Sequence, residues 1–399
     1  MDVSEQVRQM ALELEGKVIA DRRYLHQYPE LSLEEYNTQK FICEQLDEMG
    51  IPYKHMAATG VVATIKGEAP GAYDEDGNPA YRLGMRADID ALPIQERIEA
   101  DYVSKYPGVA HTCGHDAHVA MLLGAARILN QMRDRLKGEI RLIFQPAEEV
   151  TKGAFEMIGY GVLAGVDSMF GMHIWSDLEA GKINCQAGQR MANTDWFRID
   201  IEGASAHGSM PHKGVDAVVV AAELVVTLQV LVSRDISPFE PTVLTIGEIH
   251  GGSARNIVSG GAYMTGTVRT WTENMRKQMP DRISKIVERV AEGLGATAEL
   301  RWEDGHCGLA NDPVCAARAK GAVRKLFGEE GLGVYDGTLA GEDFSEYLRH
   351  VPGVFAFLGT RNPEVGAVYP QHSCYFTIDE SVLKNGVMFA AQYALDTLA

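Results

Sequence analysis

The chain is short of positive charge: 37 Lys and Arg stand against 55 Asp and Glu in 399 residues, a formal net charge of −18. A nucleic-acid partner needs a basic face, and an anionic membrane surface attracts the same basic clusters, so neither is an expected partner. Cysteine is also sparse. The six residues Cys43, Cys113, Cys185, Cys307, Cys315 and Cys374 show no framework spacing and no C-x-x-C pair, which makes a reducing cytoplasm the expected compartment. Residues 1–16 are acidic and lack the apolar core of a secretory signal. The most apolar stretch, Ala217 to Val232, carries Glu223 and Gln229 and is short for a membrane span. Internal repeats and low-complexity tracts are absent from the sequence. What remains is a chain with 46% hydrophobic residues, enough for a sizeable core and two or three domains.

Apolar spacing predicts helices over residues 5–27 and 33–49, with Ser32 as N-cap and Glu35 three residues on. Strands are expected over Val61–Ile65, Leu83–Arg86, Glu139–Phe144 and Ser168–His173, and helices over His115–Met132 and Gly153–Tyr160. That alternation implies an α/β domain with a mainly parallel sheet. From Ile183 to about Leu300 the pattern becomes β-α-β-β-α-β, a ferredoxin-like α+β unit inserted in the first domain. The expected division is 1–183 with 301–399, and 184–300 between them.

Chemistry concentrates in His111-Thr112-Cys113-Gly114-His115-Asp116-Ala117-His118. Thiolate and imidazole ligate zinc and similar divalent ions, and Gly114 permits the tight turn that brings Cys113 and His115 to one point. Gln145-Pro146-Ala147-Glu148-Glu149 follows a strand, where ligands gather in open α/β sheets. Adjacent carboxylates can divide labour between binding metal and taking a proton. His173 ends a predicted strand, His372 lies in a polar loop, and Asp88 follows the strand from Leu83, placed to orient a ligand histidine. Taken singly, His173, His372 and the paired glutamates read as ordinary structural or solvated residues. Their agreement at strand ends of one sheet favours a site. Five ligands, Cys113, His115, Glu149, His173 and His372, exceed one closed zinc site and suit two metals. Gly159–Ala164 matches a G-x-G-x-x-A pattern but follows a helix, and Gly203–His207 lacks the last glycine of a nucleophile elbow.

With these segments in view, the chain resembles the amidohydrolase branch of the metallopeptidase-20 family, which includes N-acyl-amino-acid, hippurate, auxin-conjugate and aminobenzoyl-glutamate hydrolases. The likeness runs from Arg22–Glu30 through MRADIDALP, HTCGHDAH, QPAEE, GMHIW, GASAHGSMPH and GEDFS to His372-Ser373. It implies a di-metal, exopeptidase-like α/β catalytic domain with an inserted lid that pairs two subunits. It implies Cys113, His115, Glu149, His173 and His372 as metal ligands, Glu148 as general base and acid, and His207 as an oxyanion-stabilising residue from the partner's lid. Asn256 and Arg269 fall at positions resembling substrate-binding residues, and Asp88 and Asp116 stand behind the ligands. The wider family has His-x-Asp where this chain has Arg86-Ala87-Asp88, and Cys113 replaces the usual bridging Asp. A thiolate bridge need not select the same ion as a carboxylate; Zn or Mn are the expected ions, with Co and Ni as further options.

The activity so implied is hydrolysis of the amide bond of N-acyl or N-aroyl amino acids by a homodimer or larger homo-oligomer. A dipeptidase or carboxypeptidase on the same scaffold, and a non-catalytic metal-binding assembly protein, are the competing readings.

Overall fold

The computed structural model describes residues 2–399. The chain folds as two units. One comprises Met1–Gly188, Ala310–Asp336 and Asp343–Ala399, and the other Gln189–Leu309 and Gly337–Glu342.

The first unit opens with α1 (Val3–Gln27) and α2 (Tyr36–Met49). The second helix starts later than its apolar spacing suggests, and Ser32 does not cap it. Glu30 does: its carboxylate accepts from the Asn37 and Thr38 amides at 3.1 and 2.8 Å. Ser32 instead donates to Asp90 at 2.6 Å. There follow β1 (Tyr53–Met56), β2 (Gly60–Lys66), β3 (Arg82–Asp88), α3 (His115–Gln131), β4 (Glu139–Gln145), α4 (Gly153–Gly159), β5 (Ser168–Glu179) and β6 (Ile183–Asn184).

The second unit holds β7 (Asn193–Glu202), α5 (Ala217–Val230), β8 (Thr242–Gly251), β9 (Gly261–Thr270), α6 (Glu273–Gly293) and β10 (Thr297–Asp304). Its sheet runs β8-β9-β7-β10, each neighbour antiparallel. Phe197, Ile199 and Ile201 of β7 enter its core with Leu224 and Leu228 of α5 and Ile283 and Val287 of α6. Arg198 and Asp200 alternate to the other face, as a half-wet antiparallel sheet requires.

The chain returns to the first unit through α7 (Pro313–Phe327), α8 (Phe344–Leu348), β11 (Gly353–Arg361) and α9 (Leu383–Thr397). The main sheet runs β1-β2-β4-β3-β5-β11-β6. The central β4-β3-β5-β11 pairs are parallel, while β1, β2 and β6 join antiparallel at the margins. The sheet is therefore mixed, parallel only at its centre. Central burial shows in β11, where every residue from Gly353 to Thr360 is buried. Val354, Ala356 and Leu358 pack into the core that α1, α3, α7 and α9 also enter. Phe355 and Phe357 turn the other way, towards Phe344 and Trp175.

Candidate metal centre

Three parallel strands deliver the site. β3 leads to Asp88 and Asp90, β4 to Glu148 and Glu149, and β5 carries His173. Sequence reading ends a strand at His173, but β5 continues to Glu179 beside β11. What ends is its pairing with β3, at Arg86 opposite Gly171. His173 thus stands in a strand that has lost one neighbour, which opens room for its ring. Gly114, before α3, has φ of 101°, and a Cβ there would lie 2.2 Å from Ile174 Cδ1. Both the handedness and the contact demand glycine.

Two histidines present Nε2 to the site because backbone carbonyls have taken Nδ1. His115 Nδ1 donates to the Asp90 carbonyl at 2.9 Å, and His173 Nδ1 to the Ile174 carbonyl at 2.5 Å. His173 Nε2 lies 3.4 Å from Cys113 Sγ. Cys113, His115 and His173 each offer a ligand atom within 4.8 Å of the others, and so do Cys113, Glu149 and His372. His372 sits at a strained tip, with φ of 64°, where its amide donates to the Thr112 carbonyl at 2.8 Å. That bond joins the His372 loop to the Cys113 loop. An oxygen of Glu148 comes within 4.8 Å of His115 and Glu149 ligand atoms.

The donors fit a divalent cation. His115 Nε2 and Glu149 Oε1 are buried with no hydrogen-bond partner among the described residues, an expensive arrangement unless something else binds them. Burial pulls His115 down, yet Asp88 and Cys113 drive it well above its ordinary value. Burial and the charge of His118 hold His173 well below, so it is a neutral ligand. Burial, then Glu149, pushes the Cys113 thiol well up. Such a surplus of negative charge suits a bound cation, which would hold Cys113 as thiolate.

His118 is not available to a metal. Its Nδ1 donates to Asp88 at 2.5 Å and its Nε2 accepts from the Ile174 amide at 2.9 Å. Asp88 therefore steadies His118 rather than one of the five expected ligands, although its Oδ2 lies 3.8 Å from His115 Nε2. Asp116 turns away from the ligand atoms and binds Arg22 Nε at 2.8 Å and His26 Nδ1 at 2.7 Å. Arg22 is wholly buried, and His26 reaches on to Glu96 at 2.7 Å. This ion network anchors α3, and with it the ligand loop, to α1. His111 is buried, and neither ring nitrogen has a hydrogen-bond partner among the described residues. Burial drops its pKa to about 4.

Sequence reading missed three carboxylates that hold the glutamate turn. Glu35 accepts from the Ala147 amide at 2.9 Å, Asp90 from the Glu149 amide at 3.0 Å, and Asp343 from Ala154 at 3.0 Å. Asp90, two residues beyond Asp88, was within reach of strand periodicity, and Asp343 stands in the GEDFS segment. Glu35 carries no such signal.

The remaining expected residues lie in the second unit. His207, exposed, pairs with Ile257 in a short ladder, and its Nδ1 accepts from Ser209 Oγ at 2.8 Å. The Asn256 carbonyl accepts from the Gly208 amide at 2.8 Å, so His207 and Asn256 are neighbours. Arg269, half-buried on β9, donates to Thr267 Oγ1 at 2.8 Å.

Fold and site together define a metal-dependent hydrolase. Residues 84–396 match the model of Peptidase family M20/M25/M40. The N-acyl-L-amino acid amidohydrolase of Geobacillus stearothermophilus is 42% identical over 327 residues, 80% of this chain and 86% of that one. Thermostable carboxypeptidase 1 of Saccharolobus solfataricus is 39% identical over 401 residues, 99% of both chains. The crystal structure of the Bacillus subtilis YXEP protein, described as a dinuclear metal binding peptidase, superposes with a TM-score of 0.83 at 35% identity. That match covers 97% of this chain and 99% of that one. The chain belongs to Peptidase family M20/M25/M40.

Proposed function

We propose that the protein hydrolyses the amide bond of N-acyl or N-aroyl amino acids, releasing a carboxylic acid and a free amino acid. The observation that carries this is the set of donors over the sheet, with His115 Nε2 and Glu149 Oε1 buried without a hydrogen-bond partner among the described residues and Glu148 beside them. Cys113, His115, Glu149, His173 and His372 would hold two divalent ions, Zn or Mn before Co or Ni. When bound, such ions polarise an acyl carbonyl and acidify water. Glu148 then takes the proton of the attacking water and returns it to the departing amine nitrogen. Water attacks the carbonyl carbon, the C–N bond breaks, and the amine leaves neutral. His207 stabilises the oxyanion from a partner subunit, while Asn256 and Arg269 bind substrate, Arg269 gripping the α-carboxylate.

The partner is a second copy, met through the inserted unit, which serves as lid. Outward on α5, Val219, Val226 and Val230 are 54, 64 and 49% exposed, and β8 is an open edge of its sheet. An apolar stripe beside an unpaired strand suits an isologous interface. No disulfide joins the six cysteines among the described residues, which fits a cytoplasmic setting.

The test is a hydrolysis screen on metal-free protein reloaded with Zn, Mn, Co or Ni. N-acyl amino acids should be cleaved ahead of dipeptides. Preference for peptides would favour the carboxypeptidase reading that the Saccharolobus relative's name supports. No hydrolysis with any metal would favour a non-catalytic metal-binding role.

A further inference from the structure

The turn carrying Glu148 and Glu149 is irregular. β4 stops at Gln145, α4 starts at Gly153, and between them Ala147 and Thr151 have φ of 56° and 55°. Left-handed backbone at such residues costs on the order of 1 kcal/mol each and persists only where the surroundings impose it. Asp343 is fastened to both ends of this turn. Its two oxygens accept from Gln145 Nε2 at 2.9 and 2.8 Å, and Oδ2 accepts from the Ala154 amide at 3.0 Å. Arg86 Nη2 donates to Oδ1 of the same carboxylate at 2.8 Å. Arg86 Nε and the Tyr347 hydroxyl both donate to Gln145 Oε1 at 3.0 Å, so the amide cannot rotate away. Asp343, Gln145, Arg86 and Tyr347 are all buried. The ends also press together, since a Cβ on Gly153 would lie 1.7 Å from the Pro146 carbonyl oxygen. One Asp343 oxygen is within 4.8 Å of a Glu148 oxygen.

We propose that Asp343 is a positioning residue, which clasps the two ends of the 145–154 turn and so sets where the Glu148 carboxylate stands for proton transfer. The proposal rests on the reading of Glu148 as the base. Three donors converge on Asp343, from a side-chain amide, a guanidinium and a backbone amide. A carboxylate only accepts and can serve all three, whereas an asparagine would turn its own NH2 group against one of them. A displacement near 1 Å at a catalytic group can reduce rate about a hundredfold.

The test is the Asp343→Asn variant, alone and combined with Glu148→Gln, on the metal-loaded enzyme. Alone, it should lower kcat about 10- to 100-fold while KM changes less than about threefold. In the Glu148→Gln background it should change the residual turnover less than about twofold, because its effect passes through Glu148. Amide exchange in residues 147–152 should quicken more than elsewhere. Turnover within about twofold of wild type for the single variant, or a loss that multiplies with that of Glu148→Gln, overturns the proposal. If Asp343→Asn does not fold, Gln145→Met removes the other half of the clasp, and additivity there overturns it equally. Failure of the base reading looks different: Glu148→Gln alone would then keep wild-type turnover.

Discussion

The three histidines His115, His118 and His173 share one chemistry and differ in which nitrogen the backbone leaves over. His115 and His173 keep Nε2 for the site, whereas His118 has spent both nitrogens on Asp88 and Ile174. Sequence spacing could mark all three and could not rank them, because the ranking depends on Asp90, Ile174 and Asp88 backbone and side-chain positions. The same distinction predicts the mutants. Glu148→Gln should retain its metal by elemental analysis and lose turnover by about 10²- to 10⁴-fold. Cys113→Ser and His372→Ala should instead lower metal content. Behind the ligands, burial and Arg22 pull His26 down, but Asp116 and Glu96 hold it above its ordinary 6.5. Burial pushes Glu96 up, and His26 brings it below its ordinary 4.5. The His26 contribution to stability is complete below pH 6.5 and is lost as pH rises through its folded value. That of Glu96 is complete above pH 4.5 and is lost as pH falls through its folded value. The stability difference between wild type and His26→Gln, from urea titrations, should therefore be largest between pH 4.5 and 6.5 and shrink above that window.

Elements were legible where their pattern is long and local. The β-α-β-β-α-β order of the inserted unit, α3 and β4 all follow from periodicity, and Pro146 ends β4 where proline must. The departures have non-local causes. α2 begins late because its cap is the Glu30 carboxylate, which reaches forward to Asn37 and Thr38. Replacing Glu30 by Ala should cost about 0.5–2 kcal/mol in unfolding free energy, as removal of an N-cap does. β5 runs past His173 because β11, more than 170 positions further along the chain, keeps it paired. The glutamate turn owes its shape to Glu35, Asp90 and Asp343, residues that no local window joins.

For the whole molecule, the sequence reading expected residues 184–300 inserted in a domain of 1–183 with 301–399; the chain folds as two units, of which the second takes Gln189–Leu309 and also Gly337–Glu342. A mixed dimer of His207→Ala and Glu148→Gln subunits should regain activity at one of its two sites if His207 acts in trans; no recovery would place it within one chain. Val226→Glu, on the outward face of α5, should shift the protein towards monomer in sedimentation and leave its melting temperature near that of wild type.

The margins of the two sheets differ in kind. The main sheet closes with β1 and β6, strands of four and two residues. In the inserted unit β10 shows Glu299, Arg301, Glu303 and Asp304 to solvent, while the ten-residue β8 lies uncovered at the opposite margin. Two receptive edges would let copies add without end and grow a fibre, whereas a single one is used up once two copies have met. On the proposed dimer, the charges on β10 would act as a terminator of growth. Exchanging Glu299 and Glu303 for threonine should show in light scattering as a particle that no longer stays small.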